Sequence, residues 1–235
     1  MSTSQKVVVV TGASQGIGAE VVKAFRKLDY RVVATSRTIK PSENPDILTV
    51  AGDIGDPLTA QRVVTEAITR FGRIDTLVNN AGVYIGKPFT EHTAEDYAAV
   101  MNVNMAGFFY ITKLVIAEMV KQSTGHIVTV TGSTDNAISG AHTALASLTK
   151  GGLNAATKAL AIEYAKQGIR VNAVAPGVTK TPMHPVEYHE MLGSLHPLGR
   201  MGEPYEIASA IAFLDSAEFV TGEILHVDGG QSAGR

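Results

Sequence analysis

The sequence predicts an α/β fold, one doubly wound domain built on a sheet of seven parallel strands. Three observations lead there. Short runs of β-branched residues alternate with longer amphipathic stretches, the pattern of strands buried on both faces and joined by crossover helices. A glycine-rich turn follows the first run directly. No Pro-, Gly- or Ser-rich linker divides the 235 residues, and no repeat at solenoid spacing is visible.

The strands are expected in order at Val7–Thr11, Arg31–Thr35, Ile47–Ala51, Thr76–Val78, His126–Thr131, Arg170–Ala175 and Glu223–Val227. The first opens with four consecutive valines, and Val32-Val33, Leu77-Val78, Ile127-Val128 and Ile224-Leu225 mark others. Between them the apolar spacing predicts helices at Ile17–Leu28, Thr59–Phe71, Ala94–Lys121, Ala144–Ala165 and Glu206–Leu214. The one long interval without a strand, 176–204, carries several prolines and three histidines. Ligands of open α/β sheets bind beyond the carboxyl ends of strands, so this insert is a candidate substrate lid within a single domain spanning 1–235, or else a cover for the sheet edge.

Composition excludes several classes. The chain has no cysteine, which removes disulfide scaffolds and cysteine-based metal centres. Twenty basic against 22 acidic residues give a formal charge of −2, so there is no electrostatic footprint for nucleic acid or an acidic membrane. Met1–Lys6 is polar and the apolar run Val7–Val10 is too short for a signal or membrane segment, which sets a cytoplasmic protein as the expectation. His184, His189 and His196 do not show helical ligand spacing, and no metal is expected.

The turn reads Thr11-Gly12-Ala13-Ser14-Gln15-Gly16-Ile17-Gly18. Its glycines permit a tight corner and close backbone approach, and the helix that follows offers free N–H groups to a pyrophosphate. The second strand ends Thr35-Ser36-Arg37, where an NAD site would carry an acidic residue for the ribose 2′-hydroxyl. Arg37 can instead fork onto a 2′-phosphate and Ser36 can add a hydrogen bond, which favours NADP over NAD. After the third strand, Asp53 is placed to meet an adenine amine with Ile54 packed on the ring, or to cap a turn.

These motifs, together with Asn79-Asn80-Ala81-Gly82, Asn104 in Val103–Gly107, Ser133, Lys150, Arg170–Gly177 and Val227–Gly230, resemble the short-chain dehydrogenase/reductase family over nearly the whole chain. The resemblance implies a Rossmann-like sheet in order 3-2-1-4-5-6-7, a homodimer or homotetramer, and hydride transfer between a nicotinamide cofactor and a small carbonyl or alcohol. It assigns cofactor contacts to Gly12, Ser14, Gln15, Gly16, Ile17, Gly18, Asn80, Ala81, Gly82 and Lys150, and to Pro176, Gly177, Val178, Thr179 and Thr181.

One departure stands out. The family places a tyrosine four residues before the lysine and thirteen after the serine; here that position is Ala146. The tyrosine hydroxyl is the usual proton donor to the carbonyl oxygen, and losing a positioned acid costs about 10²- to 10⁴-fold. Ser133, Lys150 and Asn104 remain as catalytic residues. His142, four residues before Ala146, is the first substitute donor expected; Tyr84, Tyr188, or Lys150 with Asn104 and a water are alternatives. Ser133 can equally belong to a polar turn with Thr131, Thr134 and Asp135, and Asn104 can bond a backbone carbonyl. The expected function is an NADP-dependent oxidoreductase of the carbonyl-reductase type with a non-standard proton donor. The alternative is a catalytically silent NADP-binding sensor or regulator.

Overall fold

The computed structural model describes residues 5–133 and 142–233. Its strands are β1 (Val7–Thr11), β2 (Arg31–Ser36), β3 (Ile47–Ala51), β4 (Thr76–Asn79), β5 (Gly125–Val130), β6 (Ile169–Pro176) and β7 (Ile224–Val227). They form one parallel sheet in the order β3-β2-β1-β4-β5-β6-β7. Every strand falls within a residue or so of its expected place, and the order matches the one the family resemblance implies.

Alternation along β1 divides the core in two, because successive side chains of a strand point to opposite faces. Val7 and Val9 join a cluster with Val63 of α2 (Pro57–Phe71) and with Ile111 and Val115 of α4 (Gly107–Gln122). Ala161 of α5 (Ala144–Tyr164) closes the same side. Val8 and Val10 face Val21 and Phe25 of α1 (Gly16–Lys27) and Ile207 and Leu214 of α7 (Pro204–Ser216). Each fully buried Val, Leu or Phe contributes about 1.5–3 kcal/mol, so the two clusters hold both layers against the sheet.

The helix expected at Ala94–Lys121 is interrupted. α3 (Ala94–Met101) passes through a π turn at Asn102–Ala106 before α4 begins. The extra residue in that turn brings Asn104 into the interior, where it is buried. Ala94–Gln122 is long and apolar enough to cross a membrane by composition alone, yet Val100, Ile111, Val115 and Met119 are buried in the protein, as in a core helix. The 176–204 segment carries a 3₁₀ turn at Val186–Tyr188 and a short α6 (His189–Gly193), and Thr179 pairs with Gly202 to close its base.

At the amino ends of the central strands lies a buried polar network the sequence reading did not anticipate. Asp215, at the end of α7, accepts hydrogen bonds from Tyr30 Oη (2.6 Å) and Thr76 Oγ1 (2.7 Å), and meets His126 Nδ1 at 3.0 Å. The Asn172 amide is oriented by Glu223 N–H donating to its oxygen, so its nitrogen donates to His126 Nε2 at 3.1 Å. His126 Nε2 is therefore the acceptor, and Nδ1 carries the proton toward Asp215. Burial opposes ionisation of Asp215, but the hydrogen bonds from His126, Tyr30 and Thr76 outweigh it and hold the carboxyl at about 2. Burial pushes the His126 imidazole below its ordinary value. Arg170 ties the ensemble to the end of α7 by donating to the carbonyls of Leu214, Asp215, Ala217 and Val220.

Candidate nucleotide and catalytic site

At the carboxyl ends of the same strands the chain leaves a cavity of about 710 Å³. Its floor begins with the glycine-rich turn. Gly12 and Gly16 adopt φ of 66° and 55°, a region that disfavours side chains. A Cβ at Gly18 would overlap the Gly12 carbonyl oxygen, so this glycine lets α1 start directly under the turn instead of facing the cavity itself. Thr11 fastens the corner to the next strand: its Oγ1 accepts from the backbone N–H groups of Asn80 and Ala81, both at 3.0 Å. Asn80 Nδ2 donates back to Thr11 O at 3.0 Å. No side chain caps the start of α1 and no acidic residue lies in its first turn, so its N–H groups and partial positive charge are offered to an anion.

The expected cofactor residues converge here. Gly12, Ser14, Gln15, Gly16 and Ile17 line the cavity from the turn, and Ser36 and Arg37 from the end of β2. Asp53 and Ile54 line it after β3, Asn80, Ala81 and Gly82 after β4, and Pro176, Gly177, Val178, Thr179 and Thr181 after β6. Arg37 is exposed and makes no ion pair with a described residue. Thr38, which the sequence reading passed over, also lines the wall and donates its N–H to Ser36 Oγ at 3.3 Å. Asp53 caps its own turn by accepting from Gly55 N–H at 2.9 Å. The size of the cavity and a cradle that side chains at 12, 16 and 18 would spoil fit a dinucleotide.

The other end of the cavity is built by β5, α5 and the π turn. Ser133, Ala146 and Lys150 all line the cavity. Lys150 Nζ donates to Val130 O at 2.9 Å, and desolvation lowers its ammonium to about 8. The Ser133 hydroxyl donates to Asp228 Oδ2 at 2.6 Å. Asp228 also accepts from Gly230 N–H (3.0 Å) and Ser232 N–H (2.8 Å). Burial raises its pKa, but these bonds outweigh burial and keep the carboxyl below its ordinary value. Thr134 and Asp135, considered as turn partners of Ser133, lie outside the described residues.

Asn104 clamps the segment after β4. It accepts from Val83 N–H at 2.9 Å, donates to Val83 O at 3.1 Å, and donates to Thr149 Oγ1 at 3.1 Å.

The expectation for His142 fails on geometry. α5 begins at Ala144, so His142 is not on the helical face of Ala146 and Lys150; it is exposed with φ of 42° and does not line the cavity. Tyr188 is also absent from the lining, whereas Tyr84 is part of it. The three histidines of the 176–204 segment do not form one cluster: His196 is buried and its Nε2 accepts from Val178 N–H at 3.0 Å, while His189 Nε2 lies 3.0 Å from His184 O. Among the described residues no group of three or more His, Cys, Asp or Glu could hold a metal ion.

A family model described as enoyl-(acyl carrier protein) reductase matches residues 12–232. The chain is 36% identical over 257 residues to a 3-oxoacyl-[acyl-carrier-protein] reductase of Thermotoga maritima, with 98% of this chain and 99% of that protein covered. Among solved structures, ElxO with NADP bound superposes with a TM-score of 0.91 at 31% identity, covering 98% of this chain and all of that one. A 3-ketoacyl-(acyl-carrier-protein) reductase from Brucella melitensis complexed with NADH gives a TM-score of 0.90 at 31% identity over the same shares. With its strand order, its nucleotide cradle and these likenesses, the chain belongs to the short-chain dehydrogenase/reductase family of nicotinamide-dependent oxidoreductases.

Proposed function

We propose that this protein reduces the carbonyl group of a small, largely apolar molecule, preferring NADPH, and that a group other than a phenol on α5 supplies the proton. The observation that carries this reading is one cavity joining the glycine cradle to Ser133, Lys150 and a lid whose Met183, Met191, Leu192 and Leu195 line the same space. Ser36, Arg37 and Thr38 stand where an acidic residue would select NAD, and a guanidinium forks onto a 2′-phosphate. A nicotinamide bound there would supply hydride to the substrate carbon. Gly12, Ser14, Gln15, Gly16, Ile17 and Lys150 would hold its phosphates and ribose, Thr179 and Thr181 its carboxamide, and the 176–204 lid would keep water away. Ser133, its hydroxyl donating to Asp228, lines the space beside Lys150.

A homodimer or homotetramer in the cytoplasm completes the proposal. Exposed Phe109 of α4 and Leu148 and Ile162 of α5 support association. Ala146 favours a second reading, a silent NADP-binding regulator. NADPH oxidation against a panel of ketones, aldehydes and diketones, with NADH alongside and cofactor binding titrated on the same samples, separates the two. Turnover faster with NADPH supports the reductase; tight binding without turnover supports the regulator.

A further inference from the structure

We infer that Gln231 reads a hydroxyl group that the substrate carries beside its carbonyl, which makes hydroxy ketones the substrate class of this site. This deepens the reductase reading and rests on it. Gln231 lines the cavity, yet its side-chain oxygen Oε1 is shut off from solvent and has no hydrogen-bond partner among the described residues. A buried amide oxygen without a donor is costly, and native side chains rarely leave one so. Among the described residues, Thr35 is the one other cavity-lining side chain with such an atom, and it stands on β2 at the nucleotide end.

A chain of short bonds sets Gln231 beside Ser133 instead. The Ser133 hydroxyl donates to Asp228 Oδ2 at 2.6 Å, and the same oxygen accepts from Ser232 N–H at 2.8 Å. The Gln231 N–H donates to Asp228 O at 3.1 Å and opens a 3₁₀ turn at Gln231–Ala233. Asp228 thus holds the serine by its carboxylate and the backbone of Gln231 by its carbonyl. The 176–204 segment fixes the same turn from the other side. Leu198 N–H donates to Gly229 O at 3.1 Å, and Gly230, at φ of 90°, passes so close to Pro197 that a Cβ would stand 3.1 Å from its ring. With the backbone held, the freedom that remains lies in the side chain. Its terminal torsion is broad, so the amide swings from the wall to a ligand at little cost.

The partner that Oε1 lacks is a hydrogen-bond donor. The carbonyl oxygen under reduction only accepts, so the donor belongs to a second group. Because Gln231 stands next to Ser133, that group is an O–H close to the reacting carbon. The rest of the substrate stays apolar against Met183, Met191, Leu192 and Leu195, which line the same cavity. The nicotinamide carboxamide also carries N–H donors, and the test separates it from the substrate.

The parent protein and Gln231→Met are compared with NADPH on acetophenone, 2-methoxyacetophenone and 2-hydroxyacetophenone, by the alcohol formed. Methionine keeps the length of the side chain and removes its amide; the methoxy ketone keeps an oxygen at the same place and removes the donor. The parent is expected to favour 2-hydroxyacetophenone in kcat/KM. Gln231→Met should lower that value about 5- to 150-fold, with a much smaller loss on the other two ketones. NADPH affinity, titrated on the same samples, should not move. The melting temperature without ligand should hold or rise, since the substitution removes a polar atom that the empty protein leaves unsatisfied. A side chain that served only to hold the turn would melt lower when replaced.

A parent that reduces the methoxy ketone as well as the hydroxy ketone, or a variant that loses all three alike, would overturn the assignment and leave the reductase standing. Weaker NADPH binding in the variant would give the donor to the nicotinamide carboxamide and overturn it as well. A parent that binds NADPH and reduces no carbonyl offered would overturn the reductase reading itself, and this assignment with it.

Discussion

The two ends of the central sheet solve opposite problems with the same strands. At the amino ends, His126, Tyr30, Thr76, Asn172 and Arg170 satisfy one another around Asp215, and the side chains are locked. At the carboxyl ends the chain keeps a cavity of about 710 Å³, an uncapped helix start and glycines where side chains would fill the space. Buried polar groups must be satisfied, and at one end the protein does so internally, while at the other it leaves the task to a ligand. The difference teaches where to look for function: at the end the fold leaves incomplete.

The largest expected effect breaks the closed end. Asp215→Ala leaves the Tyr30, Thr76 and His126 donors buried without their acceptor, and should cost about 3–5 kcal/mol in urea unfolding. NADPH affinity, measured well below the midpoint, should change little, because the two ends share no hydrogen bond among those described around Asp215.

Changes at the open end should do the reverse. Arg37→Ala removes a charged hydrogen bond worth about 1.5–3 kcal/mol, so NADPH affinity should fall about 10- to 100-fold with NADH affinity and stability unaltered. Equal loss for both cofactors would mean that Arg37 does not read the 2′-phosphate. Gly18→Ala forces a methyl group onto the Gly12 carbonyl; overpacking of this kind costs about 1–3 kcal/mol, and both cofactors should weaken together.

How much of this was legible in the sequence follows the same division. The strands and the cradle were readable because valine runs and a glycine turn are local signals, and local signals survive without tertiary knowledge. The Ser133–Asp228 bond and the Asp215 network were not, since each joins positions far apart in the chain: 95 residues for Ser133 and Asp228, 185 for Tyr30 and Asp215. His142 misled for a physical reason. Counting by fours presumes a continuous helix, and α5 starts two residues too late to carry it.

The smallest effect is a pH dependence of stability that belongs to the closed end. His126 has a folded pKa below its unfolded value near 6.5, so its contribution is present above that pH and is lost as pH falls below it. Asp215, held at about 2 against an ordinary 3.8, adds a second loss as pH falls from near 4 to 2. His126→Gln should flatten the first step and leave the second, as read by thermal melts across that range. A curve unchanged between pH 6.5 and 4 would show that His126 does not titrate on unfolding.

A working reductase at the open end must turn over a ketone. The most direct measurement incubates the purified protein with NADPH and ethyl acetoacetate, and quantifies the hydroxy ester formed against the cofactor consumed. One alcohol per NADPH, with slower conversion on NADH, is the predicted result. NADPH held tightly, with no alcohol from this ketone or from any other carbonyl offered, would contradict it.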